Sequence, residues 1–160
     1  MMMSTLSIPY SRIDRLDFDA TLLRLEKAAI KAALDAYAPY SHFRVGVALL
    51  LANDVIVTGS NQENAAYPSG LCAERTALFS AGAQYPHEPV EVLVLVAFAG
   101  DDRVESITPC GACRQVLLEM SARHNHPFKV IMIGKSGALA LEDNRYLLPF
   151  SFDGSDLPNL

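Results

Sequence analysis

The chain has 160 residues, 51% of them hydrophobic and 19% charged, and carries a net charge of -5 from 18 acidic and 13 basic residues. That length predicts one compact domain, and that apolar fraction excludes disorder. The acidic balance argues against a nucleic-acid partner, which needs clustered Lys and Arg, and no apolar run approaches the roughly 20 residues that cross a bilayer. After a polar lead-in, Asp19 can cap a helix over about 20–37, with Leu22, Leu25, Ala29, Ala32 and Ala36 at helical spacing and Pro39 beyond its end. Val45 to Leu51 and Val55 to Thr58 are β-rich and flank Asn53-Asp54, which predicts an antiparallel hairpin. Leu71 to Ala81 reads as a second helix that stops at Gly82. Val92 to Ala99 is an apolar strand of the kind buried on both faces of a sheet. Thr108-Pro109 reads as the start of a third helix, and Phe128 to Ile133 as the strand after it. The predicted order is αββαβαβ followed by a weaker tail, with one domain over 1–160 and a core of about 19–152.

The three cysteines are an odd number, so they do not form a disulfide framework; they suggest a reducing compartment. From Met1 to Arg15 there is neither a basic head with an apolar stretch nor a small-residue cleavage site, and a cytoplasmic location is expected. Cys110-Gly111-Ala112-Cys113 alone fits a redox pair, a structural zinc knot or a catalytic zinc. Cys72 lies near the start of another predicted helix, and the intervening chain is long enough to bring both helix starts together. Three thiolates can then hold one zinc ion and leave its fourth position open, which is the arrangement of a catalytic site. Glu74, two residues beyond Cys72, is placed to shuttle protons there. Three thiolates on a divalent ion leave a net negative charge, so the site needs positive potential, which two helix N-termini and Arg75 can supply. The four histidines, in predicted loops, read as surface residues.

Cys72-Ala73-Glu74-Arg75 followed by Thr108-Pro109-Cys110-Gly111-Ala112-Cys113-Arg114-Gln115 resembles the small zinc-dependent cytidine deaminases. The similarity runs from about Ala36 to Phe152 and takes in Tyr40-Ser41-His42-Phe43 and Asn61-Gln62-Glu63-Asn64. It implies a three-layer α/β/α sandwich around a mixed sheet of about five strands. It also implies hydrolytic deamination of cytidine and 2'-deoxycytidine in pyrimidine salvage, with one zinc per chain. Asn61 and Glu63, two apart on an extended segment, can project from one face to grip a ribose. By resemblance Phe43 stacks on the pyrimidine, the Ala73 backbone contacts the base edge and the Thr108 carbonyl holds the leaving amine. The tail Leu147-Leu148-Pro149-Phe150-Ser151-Phe152 resembles one whose last aromatic reaches a neighbouring subunit's site, which implies a homotetramer with shared sites.

Two departures bear on substrate choice: Gln62 stands where an aliphatic residue is common, and Arg44 is a cation beside Phe43. A deaminase of a cytosine-containing antibiotic such as blasticidin S shares the zinc motif, but Asn61 and Glu63 favour a nucleoside. An RNA-editing deaminase is disfavoured by the acidic balance. A non-catalytic zinc-stabilised binding module predicts no ammonia release at all. No membrane partner is expected.

Overall fold

The computed structural model describes residues 2–157. Asp19 caps α1 (Ala20–Leu34) by accepting a hydrogen bond from the Leu22 amide at 2.7 Å. The helix ends at Leu34, short of the expected 37, and its buried stripe is Leu22, Leu25, Ala29 and Ala33. Ala33 takes the place expected of Ala32 because α1 crosses the sheet where a glycine lets it close in. A Cβ on Gly46 would lie 2.0 Å from the Ala29 carbonyl oxygen and 2.4 Å from the Ala33 amide.

The hairpin of β2 (Phe43–Leu51) and β3 (Ile56–Ser60) forms as expected, with Asp54 at φ 63° in its turn. Then come α2 (Ala73–Gln84), β4 (Val90–Ala99), α3 (Gly111–His124) and β6 (Lys129–Ile133), with β4 and β6 parallel. The sheet has seven strands, not about five: β1 (Ser11–Asp14), the two-residue β5 (Asp102–Arg103) and β7 (Gly137–Leu141) are additional to the strands expected. Its order is β1-β7-β6-β4-β2-β3, with β5 pairing β4. Part of the segment expected as a polar lead-in is therefore an edge strand, antiparallel to β7.

Alternation along β4 divides the core into two layers. Val94 and Val96 pack with Leu22, Leu25 and Ala29 of α1, whereas Leu93 and Leu95 pack with Ala77 and Leu78 of α2 and Leu117 of α3. Each fully buried Leu or Val contributes about 1.5–3 kcal/mol. The α2/α3 layer places the functional groups. A Cβ on Gly59 of β3 would sit 2.4 Å from the Ala77 amide and 2.7 Å from the Ala73 carbonyl oxygen, so α2 rests directly on the hairpin. Gly82 does not stop α2. It lies inside the helix, where a Cβ would meet the Arg123 guanidinium and the Met120 side chain of α3 at 3.0 and 3.6 Å. No helix among the described residues is long and apolar enough to cross a membrane.

Candidate active site

Cys72 and Cys110 are the N-cap residues of α2 and α3, and neither side chain caps its helix by a hydrogen bond. Thr108 and Pro109 therefore precede α3 rather than begin it. The unpaired amides of both first turns, with their positive dipole ends, lie beside the sulfurs and favour thiolate. Cys72 Sγ is 3.7 Å from Cys110 Sγ, which is 3.4 Å from Cys113 Sγ, and all three lie within 4.8 Å of one another. Tetrahedral zinc with Zn–S bonds of about 2.3 Å separates its sulfurs by about 3.8 Å. The cluster fits that ion with little movement, and no other set of candidate ligands occurs among the described residues. His42 and His87 are exposed; His124, expected in a loop, is the last residue of α3.

Cys72 and Cys113 titrate together. Hydrogen bonding from the Cys113 thiol, aided by Arg75 and Cys110, brings Cys72 down to about 5. Cys113 is driven far upward, first by its bond to Cys72, then by burial and the nearby Glu74 charge. The Cys72 thiolate is thus favoured and that of Cys113 opposed, and a divalent cation relieves this opposition. Arg75 places Nη2 3.7 Å from Cys72 Sγ and 3.5 Å from the Gly70 carbonyl, while its Nε is buried without a partner. Glu74 is 4% exposed, and burial, reinforced by the Cys72 charge, holds its carboxyl above the usual range. A carboxyl whose proton affinity is raised beside three clustered sulfurs is suited to carrying a proton.

An open cleft of about 540 Å³ adjoins these residues and is lined by Tyr40, Ser41, Asn61, Glu63, Cys72 and Arg75 among others. The 61–63 segment is held between two neighbours: Gln62 exchanges both backbone hydrogen bonds with Leu71, and Tyr37 bonds the backbone of Asn61 and Glu63. Asn61 and Glu63 therefore lie in the cleft beside Cys72. Much of their bonding capacity is already used. Asn61 Oδ1 accepts from the Val45 amide at 2.7 Å and its Nδ2 donates to the Phe43 carbonyl at 2.9 Å. Glu63 accepts from the Tyr40 and Ser41 amides and the Ser41 hydroxyl, which hold its carboxyl below the usual range.

Phe43, at the start of β2, is partly buried but does not line that cleft. Ala73 is fully buried at the head of α2, and Thr108 is exposed. Arg44 points elsewhere: its guanidinium binds the Gly100 carbonyl and Asp101 and lies over the Phe98 ring. Gln62 donates to the Ser60 hydroxyl. Phe152 is 61% exposed, so its ring is not anchored on this chain's own core, although its carbonyl accepts from Gln115 at 2.9 Å.

Several supporting residues have no expectation from sequence. Asn144, 1% exposed, donates to the Leu117 carbonyl and the Ser121 hydroxyl and accepts from the Phe128 amide, tying the tail to α3. Arg114 reaches both the Pro109 and Leu147 carbonyls. Arg114 and Gln115 follow the ligand Cys113 directly, a position that could have signalled their role; Asn144 carries no local signal.

The sequence matches over residues 20–126 the family described as the cytidine and deoxycytidylate deaminase zinc-binding region. It is 37% identical over 133 residues to a cytidine deaminase of Halalkalibacterium halodurans, covering 83% of this chain and 95% of that one. It is 38% identical over 148 residues to one of Mycobacterium tuberculosis, covering 89% and 96%. Among solved structures, a cytidine deaminase from Burkholderia pseudomallei superposes with a TM-score of 0.70 at 38% identity, over 81% of this chain and 98% of that one. With three sulfurs set for zinc, a buried glutamate beside them and these relatives along most of its length, the chain belongs to the zinc-dependent cytidine deaminase family.

Proposed function

We propose that the protein hydrolyses cytidine and 2'-deoxycytidine to uridine and 2'-deoxyuridine with release of ammonia, with Cys72, Cys110 and Cys113 holding one zinc per chain. The observation that carries this reading is a buried Glu74, its carboxyl raised above the usual range, two residues from Cys72 and its cluster of three sulfurs, next to a cleft of nucleoside size. When bound, zinc brings a water's pKa from 15.7 toward 7 and so supplies hydroxide for attack at C4. Glu74 takes up the proton that the nucleophile sheds and gives it to N3, which makes C4 electrophilic. It then moves the remaining proton of the attacking oxygen to the exocyclic amine, whose bond to C4 breaks so that it departs as ammonia while C4 becomes a carbonyl. Arg75, paired with Cys72, offsets the negative charge of the thiolates.

Substrate placement falls to residues around the cleft. Glu63, with one acceptor position to spare, takes a sugar hydroxyl; Asn61 adds the second proton of its amide nitrogen or the second lone pair of its oxygen. The Ala73 backbone meets the base edge, the Thr108 carbonyl receives the leaving amine, and Phe43, which does not line the cleft of this single chain, stacks on the pyrimidine. Free nucleosides are preferred over cytidine monophosphate, because Glu63 is negative and Arg44 is engaged at Asp101 away from the cleft. Phe152 completes a neighbouring subunit's site in a homotetramer, a role supported by its exposed ring. A reducing, cytoplasmic setting suits three free cysteines.

Turnover of cytidine, its monophosphate, blasticidin S and a single-stranded cytosine oligonucleotide, with metal analysis, tests the reading. Zinc near one per chain and efficient turnover of cytidine alone are expected. Preference for blasticidin S or the oligonucleotide overturns the substrate class, and ammonia release from none of them leaves a zinc-stabilised binding module. Mixing Phe152→Ala and Glu74→Gln chains under subunit exchange tests the shared site. Random assembly leaves about a quarter of sites with both groups intact, so activity should exceed the sum of the separate variants; strictly additive activity rejects the arrangement.

A further inference from the structure

The Glu63 carboxylate and the Phe43 backbone meet at one hydroxyl. Ser41 Oγ donates to Glu63 Oε1 at 2.5 Å and accepts from the Phe43 amide at 3.0 Å. Glu63 Oε2 takes the Tyr40 amide at 2.9 Å and the Ser41 amide at 3.3 Å. Three of the carboxylate's roughly four acceptor positions are thus filled by a single turn, leaving one for an incoming donor. On its other side Phe43 is tied through its carbonyl to Asn61 Nδ2. Glu63 is only partly covered and Ser41 is exposed, so water competes for the carboxylate wherever the turn does not hold it.

We propose that Ser41 is a positioning residue: its hydroxyl fixes the Glu63 carboxylate in the one rotamer that receives a nucleoside's sugar hydroxyl. This rests on the reading of Glu63 as the sugar grip. The physical basis is preorganisation. A hydrated glutamate must give up side-chain freedom and water when substrate arrives, whereas one already bonded by the 40–41 turn has done so on folding. A hydroxyl bonded to a carboxylate is also among the stronger hydrogen bonds of a protein surface. The depressed Glu63 carboxyl, lowered chiefly by Ser41, agrees with a carboxylate that is charged and held. Because Ser41 touches no reacting atom, its loss should weaken binding and spare the chemical step.

The test is steady-state kinetics of the zinc-loaded full chain, comparing cytidine with 2',3'-dideoxycytidine, which offers no ring hydroxyl to Glu63. Ser41→Ala is expected to raise KM for cytidine about ten-fold, the size of one hydrogen bond to a charged group, with kcat within about two-fold. Its efficiency on the dideoxynucleoside should match the parent's, and Ser41→Ala added to Glu63→Ala should cost nothing further. Ser41→Thr, which keeps the hydroxyl, should bind cytidine as the parent does; zinc content and melting temperature report whether the fold is kept. An unchanged cytidine KM in Ser41→Ala, beside a raised one in Glu63→Ala, overturns the role of Ser41 and leaves the sugar grip standing. Equal losses on both substrates, or a Ser41→Thr variant as impaired as Ser41→Ala, also overturn it. A parent-like cytidine KM in Glu63→Ala removes the sugar grip itself.

Discussion

Two glutamates, one in a helix on each face of the sheet, are almost equally buried: Glu26 of α1 is 3% exposed and Glu74 of α2 is 4% exposed. Their surroundings differ. Glu26 is ion-paired with Arg15 and, at 2.6 Å, with Arg103, whose Nε and Nη2 are buried without partners. Arg15 also lies over the Phe18 ring at 4.9 Å. Those pairs hold the chain before α1, and β5, against the helix. Glu74 has no ion pair among the described residues; its neighbours are sulfurs, and burial pushes its carboxyl up. Both side chains are shut off from water, but two cations pair with Glu26 and none pairs with Glu74 among the described residues. A buried acid signals chemistry when its charge is left uncompensated, not merely when it is buried.

The same substitution at both positions separates the two roles. Glu74→Gln should lower kcat by about 10² to 10⁴ while zinc stays bound, and melting should hold or rise because a poorly solvated acid is replaced by a neutral amide. Metal analysis, calorimetry and uridine formation check this, and a fast Glu74→Gln enzyme would place the proton shuttle elsewhere. Glu26→Gln should do the opposite. Leaving Arg103 charged and nearly buried costs about 3 kcal/mol, the low end for breaking a buried pair, since Arg15 is 42% exposed. That is a fall of roughly 6–12 °C for a domain of this size, with kcat within about two-fold. If Glu26→Gln melts like the parent, the cluster is not a staple.

Only one of these two acids could be read from sequence, and the reason is locality. Glu74 is two residues from Cys72, and the two helix starts carry one and two of the clustered cysteines, so short spacing exposes the whole centre. Glu26 is recognisable only when Arg15 and Arg103 converge on it from separate parts of the chain. The fold divides in the same way. The hairpin and the strand β4 follow from local pattern and composition. By contrast β1, Ser-Arg-Ile-Asp, is a strand only because β7 offers it an open edge, and two-residue β5 exists only beside β4. Gly82 reads as a helix stop until α3 is packed against it. Asn61 and Glu63 were legible as polar groups on one face. Their prior commitments to the 40–45 segment were not, because those bonds join residues well apart in sequence.

A third carboxylate sharpens the contrast with the smallest expected effect. Asp54, in the hairpin turn, binds Arg24 at 2.6 Å, the separation found between Glu26 and Arg103. Only exposure differs, with the Arg24 and Asp54 side chains 46% and 75% accessible to water. The Arg24 hydrogen bond, then its charge, lowers the Asp54 carboxyl from its ordinary value. A folded-state value below the unfolded one means that the pair's contribution is complete above the unfolded value, near 3.9, and fades as pH falls through the lower folded value. Between pH 7 and 5 this pair should therefore give no pH dependence. Water and salt screen what remains, and Asn tolerates the left-handed backbone at φ 63° at least as well as Asp. Asp54→Asn should accordingly move the melting temperature by no more than about a degree, with no difference between low and high salt. A loss matching that of Glu26→Gln would mean that separation, not exclusion of water, sets the strength of these pairs. The distinction drawn between Glu26 and Glu74 would then lose its physical basis.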